Sequence, residues 1–250
     1  MTLSFFRYGS IADRVWAFGQ MGLARWALSR TPDLAFWKLL GSGSGEGFTP
    51  VPDTSVSAVL CVWPDLETAQ ERLRSEPVFR RYRARASEVF TVFLAATQVR
   101  GTWSNSQPFQ AVATPDTGDN TSLKAGSKKG SECGPVVALT RATIRPSVAL
   151  KFWKRVPDIS AMIGADRNVA FKIGVGEVPW LHQVTFSIWP NARVMADFAR
   201  TSGPHASAIK AVRAGNWFSE ELYARFRLLD HSGKWKGRNP LTHLELEPAA

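Results

Sequence analysis

Between Ser55 and Trp63 the chain alternates, with Val56, Ala58, Leu60 and Val62 on one side and Ser57, Val59 and Cys61 on the other. A period of two is that of a strand with one face against a core. The alternation returns from His182 to Trp189, where Val184, Phe186 and Ile188 oppose Gln183, Thr185 and Ser187. Both runs close on Trp-Pro, at Trp63-Pro64 and Trp189-Pro190. Each is followed by a helical pattern, a proline (Pro77, Pro204), a second helical pattern, Ser-Glu (Ser87-Glu88, Ser219-Glu220) and an aromatic strand. Self-similarity at a spacing of roughly 130 residues points to two copies of one supersecondary unit.

The flanking segments complete both copies. Residues 3–7 read as a strand, and a helix pattern runs from Ser10 to about residue 29, with Val15, Phe18, Met21, Gly22 and Trp26 as its apolar stripe. Thr31-Pro32-Asp33 breaks that helix, residues 34–40 read as a strand, Asp65 is a reasonable N-cap, and residues 88–98 form the fourth strand. In the second copy the strands fall at 136–143, 168–174, 182–189 and 221–229, with a helix over 146–163. Both copies therefore read β-α-β-β-α-β, the ferredoxin-like plan. The expected architecture is a pseudo-dimeric α+β barrel, two such repeats packed sheet to sheet around an apolar cavity. The units span 1–103 and 136–235, separated by a flexible linker over 104–135 that is polar and rich in Gly, Ser and Pro, and followed by a tail over 236–250.

Composition is ordinary for a globular chain except in two respects, a net charge of +10 and ten tryptophans. A basic surface suits nucleic acid, an anionic membrane face or an acidic partner. No nucleic-acid-binding motif is present, and basic charge with many Trp fits work at lipid headgroups, so nucleic acid is not the expected partner. The run Arg72, Arg74, Arg80, Arg81, Arg83, Arg85 is either a solvated helix face or a patch for membrane or partner. Cys61 and Cys133 form no metal spacing, and a reducing cytosol is expected. The opening MTLSFFRYGS does not read as a signal peptide, and no apolar run approaches the ~20 residues needed to span a bilayer. The chain is expected to be cytoplasmic or peripheral to a membrane.

His205 is the main candidate for chemistry. Ser202-Gly203-Pro204 interrupts the preceding helix, and a proline suits the first position of a new one. His205 then falls in the first turn, in line with Ala208, Ile209 and Val212, where the first copy has Val78. A helix N-terminus disfavours positive charge, so the imidazole there tends to stay neutral, the form that binds metal. A core or interface histidine and a ligand both satisfy that pattern. His182 occupies the place of Val56 and reads as a satisfied structural histidine, and His231 and His243 lie in polar tail contexts. The Gly-rich loop over 41–48 lacks the lysine and serine of a phosphate-binding loop and reads as a mobile loop. There is no HExxH, no GxSxG and no GxGxxG opening a βαβ unit. A redox enzyme built this way needs an external electron donor.

Several stretches resemble the spheroidene monooxygenase family, the carotenoid 2-ketolases of purple phototrophic bacteria. They are DRVWAFGQMG from Asp13, FWKLLGSGSGEGFTP from Phe36, YRARASEVFTVFL from Tyr82, LTRATIR from Leu139, and FKIGVGEVPWLHQVTFSIWP, GPH and WFSEELYARFR between Phe171 and Arg227. Together they cover nearly the whole chain outside the linker. The resemblance implies an oxygenase that hydroxylates carbon 2 of a linear carotenoid twice, the geminal diol losing water to leave the ketone. It implies O2 and reduced ferredoxin as co-substrates and haem as cofactor. Haem proteins of the dimeric α+β barrel kind carry the axial histidine on a helix of the C-terminal unit, which His205 matches. Arg141, Lys172 and Gln183 are candidates for distal-pocket or propionate contacts. The competing reading is a non-catalytic barrel that binds haem or carotenoid.

Overall fold

The computed structural model describes residues 1–45, 47, 49–112, 134–154, 168–201 and 215–244, the side chains of 199–201 excepted. Among the described residues eight strands are formed: β1 (Thr2–Arg7), β2 (Phe36–Gly43), β3 (Pro52–Val62), β4 (Glu88–Gly101), β5 (Val136–Ile144), β6 (Phe171–Gly176), β7 (His182–Trp189) and β8 (Phe218–Gly233). The helices are α1 (Ile11–Leu28), α2 (Leu66–Ser75), α3 (Pro77–Arg85), α4 (described over 149–154) and α5 (Ala192–Thr201). Local chemistry sets several boundaries. Ser10 and Asp65 cap α1 and α2 through their side-chain oxygens, accepting from the amides of Asp13 and Thr68, and Pro77 occupies the first turn of α3.

All strand pairs are antiparallel, and the strands close into one barrel in the order β1-β3-β2-β6-β7-β5-β8-β4. The fold is thus α+β, with one large antiparallel sheet. The two halves meet along unequal seams. β4 and β8 pair along most of their length, from Phe90↔Gly233 to Gly101↔Leu222, whereas β2 and β6 share only Gly41↔Gly176 and Ser42↔Val175.

The barrel interior is filled rather than hollow. Val56, Ala58 and Leu60 of β3 and Val184, Phe186 and Ile188 of β7 point inward as the alternation predicts. There they meet a knot of rings, with Phe5 5.2 Å from Phe171, 5.6 Å from Phe186 and 6.0 Å from Trp235. An eight-stranded barrel is just wide enough for side chains to fill it, and aromatic residues from opposite walls do so here. Among the described residues these side chains occupy the space between the sheets.

Three further expectations change. Part of the expected linker packs: Phe109 is buried in the barrel core against Trp103, and the Val112 amide donates to the Ala96 carbonyl at 2.9 Å. Part of the expected tail does the same at the opposite end, where Leu241 joins the same core as Trp235. Helix α1 turns its large apolar stripe outward. Val15, Phe18 and Trp26 are 66%, 75% and 67% exposed, while Ala17, Ala24 and Leu28 face the sheet. The outer face of β1 and β3 already carries Phe6, Tyr8, Val59 and Cys61, so the helix that lies over it approaches with small residues. Six of the ten tryptophans are buried, at 63, 103, 153, 189, 217 and 235. Cys61 is buried and free of any disulfide, and Cys133 lies outside the described residues.

Candidate functional site

Inward alternation on β2, β5 and β8 brings Lys38, Arg141 and Glu220 into line with core residues, so charge enters one end of the barrel. Arg141 is only 2% exposed. Its Nη1 is paired with Glu220 Oε2, its Nη2 lies 3.6 Å from Glu177 Oε2, and its guanidinium stands 5.7 Å from the Trp103 ring centre. Glu177, just past β6, also accepts from Lys38 Nζ at 2.8 Å and Trp103 Nε1 at 2.9 Å. His182 Nδ1 sits 3.4 Å from Glu177 Oε2, the long end for a hydrogen bond. Burial raises the Glu177 pKa, but contacts from His182, Lys38 and Trp103 and the charge on Lys38 outweigh it and hold the carboxyl at about 2. Glu220 is lowered too. Its partial burial is overcome by the Asn105 amide and the charge on Arg141. Two cations and two carboxylates thus neutralise one another at one end of the barrel, with Arg141 almost fully buried.

The opposite end repeats the device. Arg7 Nε lies 3.2 Å from Glu88 Oε2, its guanidinium is 4.6 Å from the Trp235 ring centre, and the amides of Lys236 and Gly237 donate to the Glu88 carboxylate. In both cases the tryptophan comes from the half of the chain that does not supply the arginine. A sequence signal for it exists: Gly101-Thr102-Trp103 and Gly233-Lys234-Trp235 each precede a proline, Pro108 and Pro240, by the same interval. Gly101 and Gly233 have φ of 94° and 91°, values that glycine tolerates best. Arg141 thus has both terminal nitrogens facing carboxylates, while its buried Nε has no hydrogen-bond partner among the described residues.

The cleft with room for a ligand lies elsewhere, over the short β2–β6 seam. It has a volume of about 270 Å³ and is bounded by Ala17, Phe18 and Met21 of α1, the β2–β3 hairpin, Trp153 of α4, and the loop from Gly176 to Gln183. Its exposed wall area is mostly apolar, with Asp53, Glu177, His182 and Gln183 as the charged or strongly polar residues beside the hydroxyls of Ser42, Thr49, Thr54 and Ser57. Gln183 Nε2 is buried and has no hydrogen-bond partner among the described residues. His182, which heads the inward face of β7, reaches the same cleft, so Glu177 and His182 connect it to the charged end of the barrel.

Two glycines let this seam close. A Cβ on Gly174 would stand 2.3 Å from the Gly47 carbonyl oxygen and 3.0 Å from Gln183 Nε2, while Gly47 has φ of 87°. Ser42 Oγ donates to the Gly174 carbonyl at 2.8 Å and ties the hairpin to β6. Gly174→Ala is accordingly expected to cost roughly 1–3 kcal/mol by overpacking and to displace the hairpin from the cleft. Urea unfolding of the variant checks the first, and a changed near-ultraviolet dichroism from Trp153 and Trp180, whose rings meet edge to face with centres 6.4 Å apart, the second.

The other sequence candidates scatter. Lys172 lies on the face of β6 opposite to Phe171, Ile173 and Val175, away from the barrel core. His205 lies outside the described residues. His231 pairs with the Asn239 amide at 3.1 Å near the tail, and His243 is exposed. Much of the Arg72–Arg85 run is spent within the chain. Arg72 binds Asp33 and Glu76, Arg74 binds Glu71, Arg85 binds Asp13, and Arg83 donates to backbone carbonyls.

Comparison with known proteins settles the family. No family model matches the chain. A spheroidene monooxygenase of Cereibacter sphaeroides is 47% identical over 242 residues, covering 96% of this chain and 70% of the relative. One of Rhodobacter capsulatus is 44% identical over 98% of this chain and 97% of its own length. The chain belongs to the spheroidene monooxygenase family. A third member, of Rubrivivax gelatinosus, is 32% identical over 91% of this chain and 81% of its own. Membership makes the protein an oxidoreductase of the monooxygenase kind. Among solved structures, an aldoxime dehydratase superposes with a TM-score of 0.61 at 12% identity, covering 99% of this chain and 88% of its own. Another aldoxime dehydratase, in complex with butyraldoxime, gives 0.59 at 11% identity over 96% and 83%. At such identities the likeness concerns the fold alone.

Proposed function

We propose that this monooxygenase oxidises carbon 2 of a spheroidene-type linear carotenoid to the ketone. The observation that carries the reading is the 47% identity, across 96% of the chain, to a relative named for spheroidene. In each of two turns one O2, two electrons and two protons convert a C–H bond to C–OH and release water. The resulting geminal diol loses a third water to leave C=O. Reduced ferredoxin supplies the electrons. The protein works in the cytoplasm at a membrane surface, where so apolar a substrate resides. Its barrel is a pseudo-dimer of ferredoxin-like units, 1–103 and 136–235. The order β4-β1-β3-β2 in one half and β8-β5-β7-β6 in the other, and the paired Arg-Glu-Trp plugs, support that view.

Haem, when bound, supplies activation of dioxygen for attack on an unactivated C–H bond. Among the described residues no three His, Cys, Asp or Glu side chains converge to grip a bare metal ion, so a macrocycle needing one protein ligand fits the donor set better. His205 is proposed as that ligand. Val78, at the corresponding sequence position of the first unit, is 3% exposed and packs among apolar residues at the start of α3. The described cleft lining holds no cation for propionates, while Lys210 and Arg213 share the His205 segment outside the described residues. The apolar cleft walls receive the carotenoid end and exclude water, and the unpartnered Gln183 amide orients an oxygen at the reacting carbon.

The test is an absorption spectrum of the purified protein, oxidised, reduced and with carbon monoxide, beside conversion of spheroidene by a ferredoxin reducing system in air. A haem spectrum with formation of the 2-keto product is expected. Pigment or haem binding with no product under those conditions would favour the non-catalytic barrel.

A further inference from the structure

Exposed large apolar side chains on a soluble surface are usually scattered singly. Here they are gathered. Ile11, Val15, Phe18, Leu23 and Trp26 form the outward face of α1, each at least 66% exposed. The stripe runs on to the mouth of the cleft, since Phe18 lines both. Across that mouth stand Val178 and Trp180 of the β6–β7 loop, 42% and 43% exposed, and Val51 of the hairpin, 60% exposed between two lining prolines.

The unpaired charges along α1 are of one sign, and Asp53 of the hairpin, which accepts from Ser55, is a carboxylate at the cleft rim. Asp13, the acidic residue of α1, is bound by Arg85, and Asp33 beyond the helix is bound by Arg72. Arg14 donates to the Tyr8 and Gly9 carbonyls, Arg25 stands over the Trp37 ring at 5.6 Å, and Arg30 over Trp26 at 4.1 Å. None of these three arginines meets a carboxylate within ion-pair distance among the described residues. No helix there is long and apolar enough to cross a membrane. An apolar helix face edged by Trp and unneutralised Arg is what lies in the plane of an anionic bilayer surface, apolar side chains in the acyl boundary and cations among headgroups.

We propose that α1 and the rim of the cleft form a bilayer-docking surface, committed to an anionic lipid face, through which the cleft opens directly to the membrane interior. This rests on the carotenoid reading for its purpose but not for its test. Its consequence is that a long apolar substrate enters from the acyl layer without crossing water. The docking residues are those of α1 and the cleft rim, while Arg72, Arg74 and Arg85 of the Arg72–Arg85 run are paired with neighbouring carboxylates.

The full chain is floated with vesicles of phosphatidylcholine alone and of phosphatidylcholine with an equal part of phosphatidylglycerol, as wild type and as Val15→Glu/Trp26→Glu. Wild type is expected to bind both, the anionic vesicles more tightly and with a loss on adding salt. The double variant is expected to bind roughly tenfold or more weakly, as follows from two large side chains withheld from the acyl region. An unchanged urea midpoint shows that the variant is folded, and Trp26→Phe should remove a share of fluorescence quenching by brominated acyl chains. Conversion of vesicle-embedded carotenoid, relative to detergent-dissolved carotenoid, should fall by a similar factor in the double variant. If the variant floats as wild type does, the proposal is overturned. It is equally overturned if wild type ignores vesicles and sediments as a dimer that the two substitutions dissociate, since the face then covers a second copy. Flotation that depends on the stripe, with neither form of carotenoid converted, upholds the docking surface and removes the substrate reading.

Discussion

Arg141→Met is expected to lower the stability of the protein by roughly 3–5 kcal/mol, a large part of what a domain of this kind possesses. The arginine is 2% exposed and faces Glu220 and Glu177 inside the barrel. Removing it leaves Glu177 and Glu220, each 16% exposed, without their shared guanidinium, Glu177 keeping Lys38 and Glu220 no cation within ion-pair distance among the described residues. The counterpart at the other end is the control. Arg7 and Glu88 are 29% and 21% exposed, so water screens their pairing, and Arg7→Met should cost about 1 kcal/mol or less. Urea denaturation of both variants reads the difference, and Arg141→Met/Glu220→Met should recover part of the loss because no orphaned charge remains at that pair. The same cluster sets the acid limb of stability. A carboxylate whose folded pKa is depressed contributes stability that is complete above its unfolded value and lost as pH falls through the folded one. For Glu177 that window runs from 4.5 down to about 2. Glu177→Gln should lower stability at neutral pH and flatten its dependence in that window.

His205→Ala is expected to abolish the haem spectrum and the conversion of spheroidene together. Haem occupancy should fall by at least about a hundredfold, the upper range for loss of a mere supporting partner. The motive is the substitution of an imidazole for Val78 in the second unit, directly after Gly203-Pro204. His182→Ala is the companion. It leaves Glu177 held by Lys38 and Trp103, so haem retention should survive and the main change should be in stability. Loss of the spectrum in His182→Ala with retention in His205→Ala would move the ligand to the cleft wall. His182 is placed for that outcome, since it lines the cleft with Glu177 Oε2 3.4 Å from its Nδ1.

Sequence periodicity went far toward the fold because a strand's two faces are written in alternate residues. The inward sets of β3 and β7 were legible in that way, and so was the order of elements in both halves. Family membership was legible in the long Trp-rich stretches, which identity to named relatives bears out. Other features needed neighbours in space. Arg141 reads in sequence as a free cation on an alternating strand, and only barrel closure brings it to Glu177 and Glu220, 36 and 79 residues away in sequence. Gln183 was legible as a polar residue facing out, while its place in a cleft depends on Gly174 and Gly47 meeting across the seam. The segment after Gly101 is polar in composition, yet Trp103 and Phe109 bury themselves because Trp103 meets Arg141 and Glu177 at the barrel end and Phe109 meets Trp103 and Phe226.

Helix α1 shows where the division falls. Its sequence determined a helix with apolar residues at 3–4 spacing, capped at Ser10 and ended before Pro32. Which side would be covered was decided by tertiary structure, because the sheet beneath was already crowded with Phe6, Tyr8, Val59 and Cys61 and admitted only the alanine face. Periodicity records that a face is apolar and is silent on what will meet it. Close packing chooses the partner by volume, and here it left the larger side chains outside.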